Sequence, residues 1–371
     1  MAENQPGNKY RMNIELANFA ARLRALISHR PSAIGHRPFA ELARELFGLQ
    51  FKHNPVYRKI CDSRNLTPKT VEHWAQVPFV PTAAFKELEL SSIPHGERTA
   101  VFHSSGTTEQ KPSRHFHCPE SLALYEASLW QWFQTRFSVQ NECLFLTPSP
   151  SAAPRSSLVR MFETVRSHVK NAGFFGAPAE DGAWLIDFDS VVRKLKRASD
   201  NATPLTILGT AFSFVHLLDF LAEMDARFEL PKDSRVMETG GYKNRSRTMP
   251  KDELHAFITD RLGLPARDII CEYGMSELSS QAYDVVSETG ASLVARHFHF
   301  PPWARVQIIS PETGCEAAEG ETGLIRIFDL ANVYSVAAIQ TEDLGVRRGD
   351  GFELVGRAQL AEPRGCSLMT A

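Results

Sequence analysis

From Glu142 to Phe228, short apolar runs alternate with stretches of helical periodicity, and few folds accommodate that rhythm. Cys143-Leu-Phe-Leu146 precedes helical spacing from Leu158 to Val169 and again from Phe188 to Ala198, and Leu205-Thr-Ile-Leu208 precedes helical spacing from Phe214 to Phe228. Apolar strands joined by crossover helices predict a parallel sheet covered on both faces. In such an α/β fold, ligands sit beyond the C-terminal ends of the strands. The turns that follow the strands are therefore where function is sought.

The flanks differ from this centre. Residues 1–95 are expected to form a helical N-terminal region packed on the core: Ile14, Leu16, Phe19, Ala20, Leu23 and Leu26 recur at helical spacing, as does the segment from Pro38 to Phe47. Val77-Pro-Phe-Val-Pro-Thr-Ala-Ala-Phe-Lys86 predicts an extended crossing, since each proline disfavours helix before itself. Residues 96–289 form the predicted α/β core, with mixed or parallel sheets and flanking helices. Residues 290–371 predict a β-rich subdomain with a short tail, in which Asp350-Gly351 signals a hairpin.

Several turns carry chemistry. Ser104, Ser105, Gly106, Thr107 and Thr108 bring hydroxyl and amide donors together, with Lys111 and Arg114 close behind. Such a segment suits a polyphosphate, although it equally suits a polar surface turn. It is not a Walker loop, because Gly106 stands alone and Lys111 precedes a proline. Gly240, Gly241 and Tyr242 end an apolar run where small residues and a ring can accept a flat ligand. Tyr273, Gly274, Ser276 and Glu277 end another, with a hydroxyl for a phosphate oxygen and a carboxylate for Mg²⁺. Asp343 and Arg357 can hydrogen-bond ribose, the alternative being a turn aspartate and a surface arginine. Phe85, Phe212, Phe214, Val215 and Leu218 are candidates for a substrate pocket, the alternative being ordinary core, and His216 is expected to be a satisfied core histidine.

Charge narrows the partners. With 41 basic and 43 acidic residues, the net charge of -2 gives no general attraction to nucleic acid or anionic membrane. No apolar run approaches the ~20 residues that span a bilayer, so a soluble, cytoplasmic protein with a small-molecule substrate is expected. The six cysteines form no CxxC pair, which argues against a disulfide framework or a zinc motif. Cys366, beside Arg364 near the chain end, is the one expected to be available.

Taken in order, Ser104-Ser-Gly-Thr-Thr108, Glu272-Tyr-Gly-Met-Ser-Glu277, Thr341-Glu-Asp-Leu-Gly345 and Gly356-Arg357 resemble the adenylate-forming superfamily. Asn54-Pro-Val-Tyr57, Val77-Pro-Phe-Val-Pro81, Gly240-Gly-Tyr-Lys243 and Arg364-Gly-Cys-Ser-Leu368 are similar to the LuxE-type acyl-protein synthetases within it. The resemblance covers nearly the whole chain. It implies the fold of the adenylate-forming N-terminal domain. It also implies attack of a carboxylic acid on ATP with Mg²⁺, giving an acyl-adenylate whose acyl group passes to a thiol.

By the same resemblance, Ser104 to Thr108 with Lys111 contact the phosphates, and Ser276 and Glu277 serve the α-phosphate and Mg²⁺. Gly240, Gly241 and Tyr273 bracket adenine, while Asp343 and Arg357 hold the ribose. Two departures stand out: Glu109 occupies the place of a phosphate-loop glycine, and the chain ends soon after Gly356-Arg357, where larger members continue into a mobile domain carrying a catalytic lysine. Cys366 matches the acylated cysteine of the LuxE type and is the expected acceptor. Coenzyme A or a carrier protein is the alternative acceptor, and a non-catalytic nucleotide-binding subunit is the third reading. An acyl reductase or acyltransferase is the expected partner.

Overall fold

The computed structural model describes residues 13–104, 111–179, 184–240, 249–286 and 296–357. The amphipathic N-terminal segments form α1 (Ile14–His29), α2 (His36–His53) and α3 (Pro55–Ser63), of which α1 and α3 are capped by the Asn13 and Asn54 side chains. The crossing at Val77–Lys86 is extended only as β1 (Val80–Pro81). It then turns into one helical turn, α4 (Ala84–Glu87), because Pro81 is the last residue that restrains it.

The hydroxyl-rich loop lies between β2 (Ala100–His103) and β3 (Arg114–His117), which pair antiparallel. β3 leads into α5 (Pro119–Phe133), so an antiparallel strand, and not a helix, follows the segment directly.

The alternating centre forms β4 (Glu142–Phe145), α6 (Ser157–His168), β5 (Ala172–Phe174), the small ribbon β6 (Gly176–Pro178) and β7 (Trp184–Ile186), α7 (Phe188–Asp200), β8 (Leu205–Thr210) and α8 (Ala211–Glu223). It continues through β9 (Arg235–Thr239), α9 (Lys251–Leu262) and β10 (Ile269–Tyr273). The helix α8 begins and ends earlier than its apolar periodicity predicts, since Thr210 caps it through Ser213 N–H. The strands β5, β4, β8, β9 and β10 lie side by side and parallel, as the alternation requires.

The last third supplies β11 (Ala282–Val286), β12 (Arg296–His299), β13 (Ala304–Ile309), β14 (Thr322–Asp329), β15 (Ala338–Arg348) and β16 (Gly351–Arg357). These antiparallel strands extend the same sheet, whose order is β13-β14-β15-β16-β12-β11-β10-β9-β8-β4-β5, and β1 adds to β15 in parallel. Arg348 pairs with Gly351, so the hairpin turn is Gly349-Asp350 rather than Asp350-Gly351. Gly349, at φ +57°, takes the left-handed position that such a turn demands.

Three apolar clusters hold these layers. The largest joins the N-terminal helices to β13, β14 and β15 and to the end of β10, so residues far apart in sequence share one core. Within it, buried Gln50 on α2 donates to the carbonyls of Asn332 and Val333 at 2.7 and 3.2 Å and accepts from Ala337 N–H at 3.1 Å. Truncating Gln50 strands two carbonyls and one amide away from water. Gln50→Ala is expected to lower unfolding stability by about 2–4 kcal/mol, measured by denaturant unfolding, and a loss under about 0.5 kcal/mol would contradict this role.

Candidate active site

The parallel strands end in step. Thr210, Thr239 and Glu272 are neighbours in register, so the turns after β8, β9 and β10 open at one edge. Gly240, at φ +72°, has no atom of the described residues within 4 Å of where a side chain would stand, a conformation and clearance that suit glycine. Gly274 is glycine for a different reason, because a Cβ there would collide with Glu272 Oε1.

The β2–β3 hairpin is docked onto the turn after β10. Ser104 Oγ accepts from Ser113 N–H at 3.0 Å, closing the base of the hydroxyl-rich loop. The hydroxyls of Ser113 and Ser276 lie 3.2 Å apart, and Ser276 donates to Glu277 Oε2 at 2.9 Å. A carboxylate only accepts, so the protons run from Ser113 to Ser276 to Glu277. His115 Nδ1 must donate to the Ser276 carbonyl, 2.9 Å away, and burial lowers its pKa to about 4, so the imidazole is neutral.

The far side of this turn is clamped by the end of β14 and the residues that follow it. Asn332 donates to the Glu277 carbonyl at 2.8 Å, while buried Asp329 accepts from Ser279 N–H at 2.9 Å and from the Ser280 hydroxyl at 2.7 Å. Ser276 and Glu277 are thus held from both sides with their side chains almost fully buried.

Asp343 sits across from Tyr273, whose hydroxyl donates to its Oδ2 at 2.8 Å. The Tyr273 ring is buried edge-on against Phe298, Phe300 and Phe352. It serves as packing and as the support that aims Asp343, instead of presenting an open face as the adenine-bracketing role implies. Arg357 reaches Asp343 at 3.5 Å from an otherwise exposed position.

The remaining expectations divide. Lys111 is about half exposed and pairs with Glu87 at 3.2 Å, a surface contact worth little and readily exchanged for an anion. Phe85, Phe214, Val215 and Leu218 are fully buried in the apolar cores, which is the structural alternative to lining a pocket, whereas Phe212 is half-buried against His216. His216 itself is exposed, not a core histidine, because α8 turns that position outward. Ser105, Gly106, Thr107, Thr108, Glu109, Gly241, Tyr242 and Cys366 lie outside the described residues. Cys61, Cys118, Cys143 and Cys271 are buried, and Cys315 is exposed.

Glu272 opens the Glu272-to-Glu277 motif, but sequence reasoning assigns it no role of its own. Its carboxyl is buried below the strand ends and accepts a short bond from Thr239 Oγ1. Burial raises its pKa to about 7, helped by neighbouring Glu238 and opposed by the Thr239 bond. Nothing local marks such a residue, since the cause is which strand β10 lies beside. Between pH 4.5 and about 7 the unfolded chain releases this proton while the folded chain keeps it, so rising pH costs stability through that window. Glu272→Gln is expected to gain on the parent by up to about 3 kcal/mol as pH rises from 4.5 to 7, and parallel stability–pH curves for the two proteins would exclude the raised pKa.

With this geometry in hand, comparisons with known proteins agree on one lineage. The family model described as acyl-protein synthetase, LuxE, matches residues 39–371. A long-chain-fatty-acid--luciferin-component ligase of Aliivibrio fischeri is 23% identical over 357 residues, covering 89% of this chain and 87% of that protein. Its namesake of Vibrio harveyi is 22% identical over 341 residues, with 89% and 86% covered. A crystal structure of 2-hydroxyisobutyryl-CoA ligase in an open conformation, in complex with 2-HIB-AMP and CoA, matches with a TM-score of 0.61 at 12% identity, over 85% of this chain and 73% of that one. That likeness carries the adenylate-forming fold. Family match and fold together establish that the chain belongs to the LuxE acyl-protein synthetase family, ATP-dependent ligases that activate an acid and transfer its acyl group.

Proposed function

We propose that the protein activates a long-chain fatty acid as its acyl-adenylate and transfers the acyl group to its own Cys366. The observation that carries this reading is the hydrogen-bonded line from Ser104 through Ser113 and Ser276 to Glu277, which joins the base of the hydroxyl-rich loop to a buried carboxylate at the strand ends. Asp343, aimed by Tyr273 and flanked by Arg357, lies at the same edge and offers a carboxylate to the ribose hydroxyls.

In the first step a carboxylate oxygen of the acid bonds to the α-phosphorus of ATP while the bond to pyrophosphate breaks. Negative charge moves but no protein group becomes covalently bound, so positioning and charge neutralisation do the work. Ser276 and the loop hydroxyls orient the phosphates, and Lys111 exchanges Glu87 for the anion. One carboxylate beside hydroxyls fits Mg²⁺, a hard ion that keeps several waters and shares phosphate oxygens, so Glu277 is the residue that would hold it and it would offset phosphate charge.

In the second step the Cys366 thiolate attacks the acyl carbonyl, AMP leaves, and the thiol proton passes to solvent. Arg364 favours the thiolate, and the tether raises the local thiol concentration. Cytoplasmic ATP supplies the reaction, and an acyl reductase or acyltransferase is the partner that would take up the thioester. No helix among the described residues is long and apolar enough to cross a membrane.

Labelled long-chain fatty acid with ATP and Mg²⁺ is expected to give a hydroxylamine-labile protein adduct that Cys366→Ser lacks, while acid-dependent pyrophosphate exchange persists in that variant. Glu277→Gln is expected to lower exchange about 10²–10³-fold. Equal labelling of Cys366→Ser would refute the acceptor, and AMP release that depends on added coenzyme A would transfer the role to an external thiol.

A further inference from the structure

A second cluster of chemically active side chains lies on the opposite face of the same strands. Glu238 on β9 and Cys271 on β10 are paired in register, so both point toward α9, whereas the next pair, Thr239 and Glu272, points the other way. From α9, His255 brings Nε2 to 3.6 Å from Cys271 Sγ and 3.6 Å from Glu238 Oε2. All three donor atoms lie within 4.8 Å of one another, and all three residues are buried.

The arrangement does not suit a hydrogen-bonded relay. A Cys-His-Glu relay uses both imidazole nitrogens, one toward the thiol and the other toward the carboxylate. Here a single nitrogen faces both. At 3.6 Å the His255–Glu238 contact is too long for a hydrogen bond, and Glu238 Oε2, on a residue only 5% exposed, has no hydrogen-bond partner among the described residues. A buried acceptor with nothing to accept from is costly unless something else occupies the space it faces.

Convergent sulfur, nitrogen and carboxylate donors are what a borderline-soft divalent ion selects. Tetrahedral ligands about 2.0–2.3 Å from zinc stand roughly 3.3–3.8 Å apart, which the two 3.6 Å separations already match. We propose that Glu238, His255 and Cys271 form a zinc-type metal site that staples α9 to β9 and β10 behind the nucleotide edge. As the ion binds, the S–H bond of Cys271 breaks, its proton goes to solvent, and a sulfur–metal bond forms. Neutral His255 and the Glu238 carboxylate complete the protein ligands, and water takes the fourth position.

Two cations neighbour the cluster. Lys251, the first residue of α9, has its charge favoured by Cys271, Glu238 and Asp284 against the cost of burial. Arg296 pairs with Asp284 at 2.7 Å and approaches Cys271 Sγ at 3.9 Å. In the metal-free protein Lys251 balances Glu238; with the ion bound, the thiolate supplies the second negative charge, so the dication is neutralised by its own ligands.

Full-length protein, stripped with a chelator and titrated with Co²⁺, is expected to take up one ion per chain. A thiolate-to-cobalt charge-transfer band should appear and be displaced by Zn²⁺. The band should persist in Cys143→Ser, which alters another buried thiol, and vanish in Cys271→Ser. If Cys271→Ser does not fold, His255→Gln serves instead and should lose the band or at least ten-fold in affinity. No stoichiometric uptake by the parent protein, or an unchanged band in the variant tested, overturns the site.

Discussion

The turn after β10 is the point on which the rest of the molecule closes. A short run, Ser276 to Ser280, is gripped by Ser113 and His115 at the start of β3 and by Asp329 and Asn332 at and after the end of β14. Each grip uses buried hydrogen bonds, where low dielectric strengthens a satisfied bond and makes an orphaned one expensive. Behind Asn332 stands Gln50 of α2, so even the N-terminal helices are tied to this turn through one side chain. The Glu277 carboxylate and the Ser276 hydroxyl, which we propose meet ATP, are thereby held in place by the protein itself.

Burial does different work on the two faces of β9 and β10. Toward α5 it keeps Glu272 protonated up to about pH 7 and leaves His115 uncharged. Toward α9, burial penalises the Cys271 thiolate, Glu238 adds to that penalty, and Lys251 opposes it. A cation there would reverse the balance. Adjacent register pairs on one strand pair thus hold carboxyls in opposite states, which follows from the two-residue period of a strand.

Much of the architecture was legible in periodicity. The alternation after Glu142 led to the parallel strands, and the helical spacing from Ile14 and from Pro38 led to α1 and α2. Where expectation and structure part, strand register and packing overruled a local signal. Asp350-Gly351 carries a strong turn dipeptide, yet pairing of Arg348 with Gly351 moves the turn to Gly349-Asp350. The exposed His216 likewise depends on how neighbouring elements lie, as does the burial of Tyr273 among three phenylalanines.

By itself the sequence determined the lineage, the class of fold and the stretches proposed to carry the chemistry, because periodicity, turn residues and ordered motifs are written locally. Only the tertiary structure decided which side chains act together. Ser113 with Ser276, Tyr273 with Asp343, and Glu238 with His255 and Cys271 are brought together by strand register and helix packing. The raised pKa of Glu272 has the same origin, since desolvation depends on every neighbour a carboxyl loses water to, and those neighbours are assembled only when the chain folds.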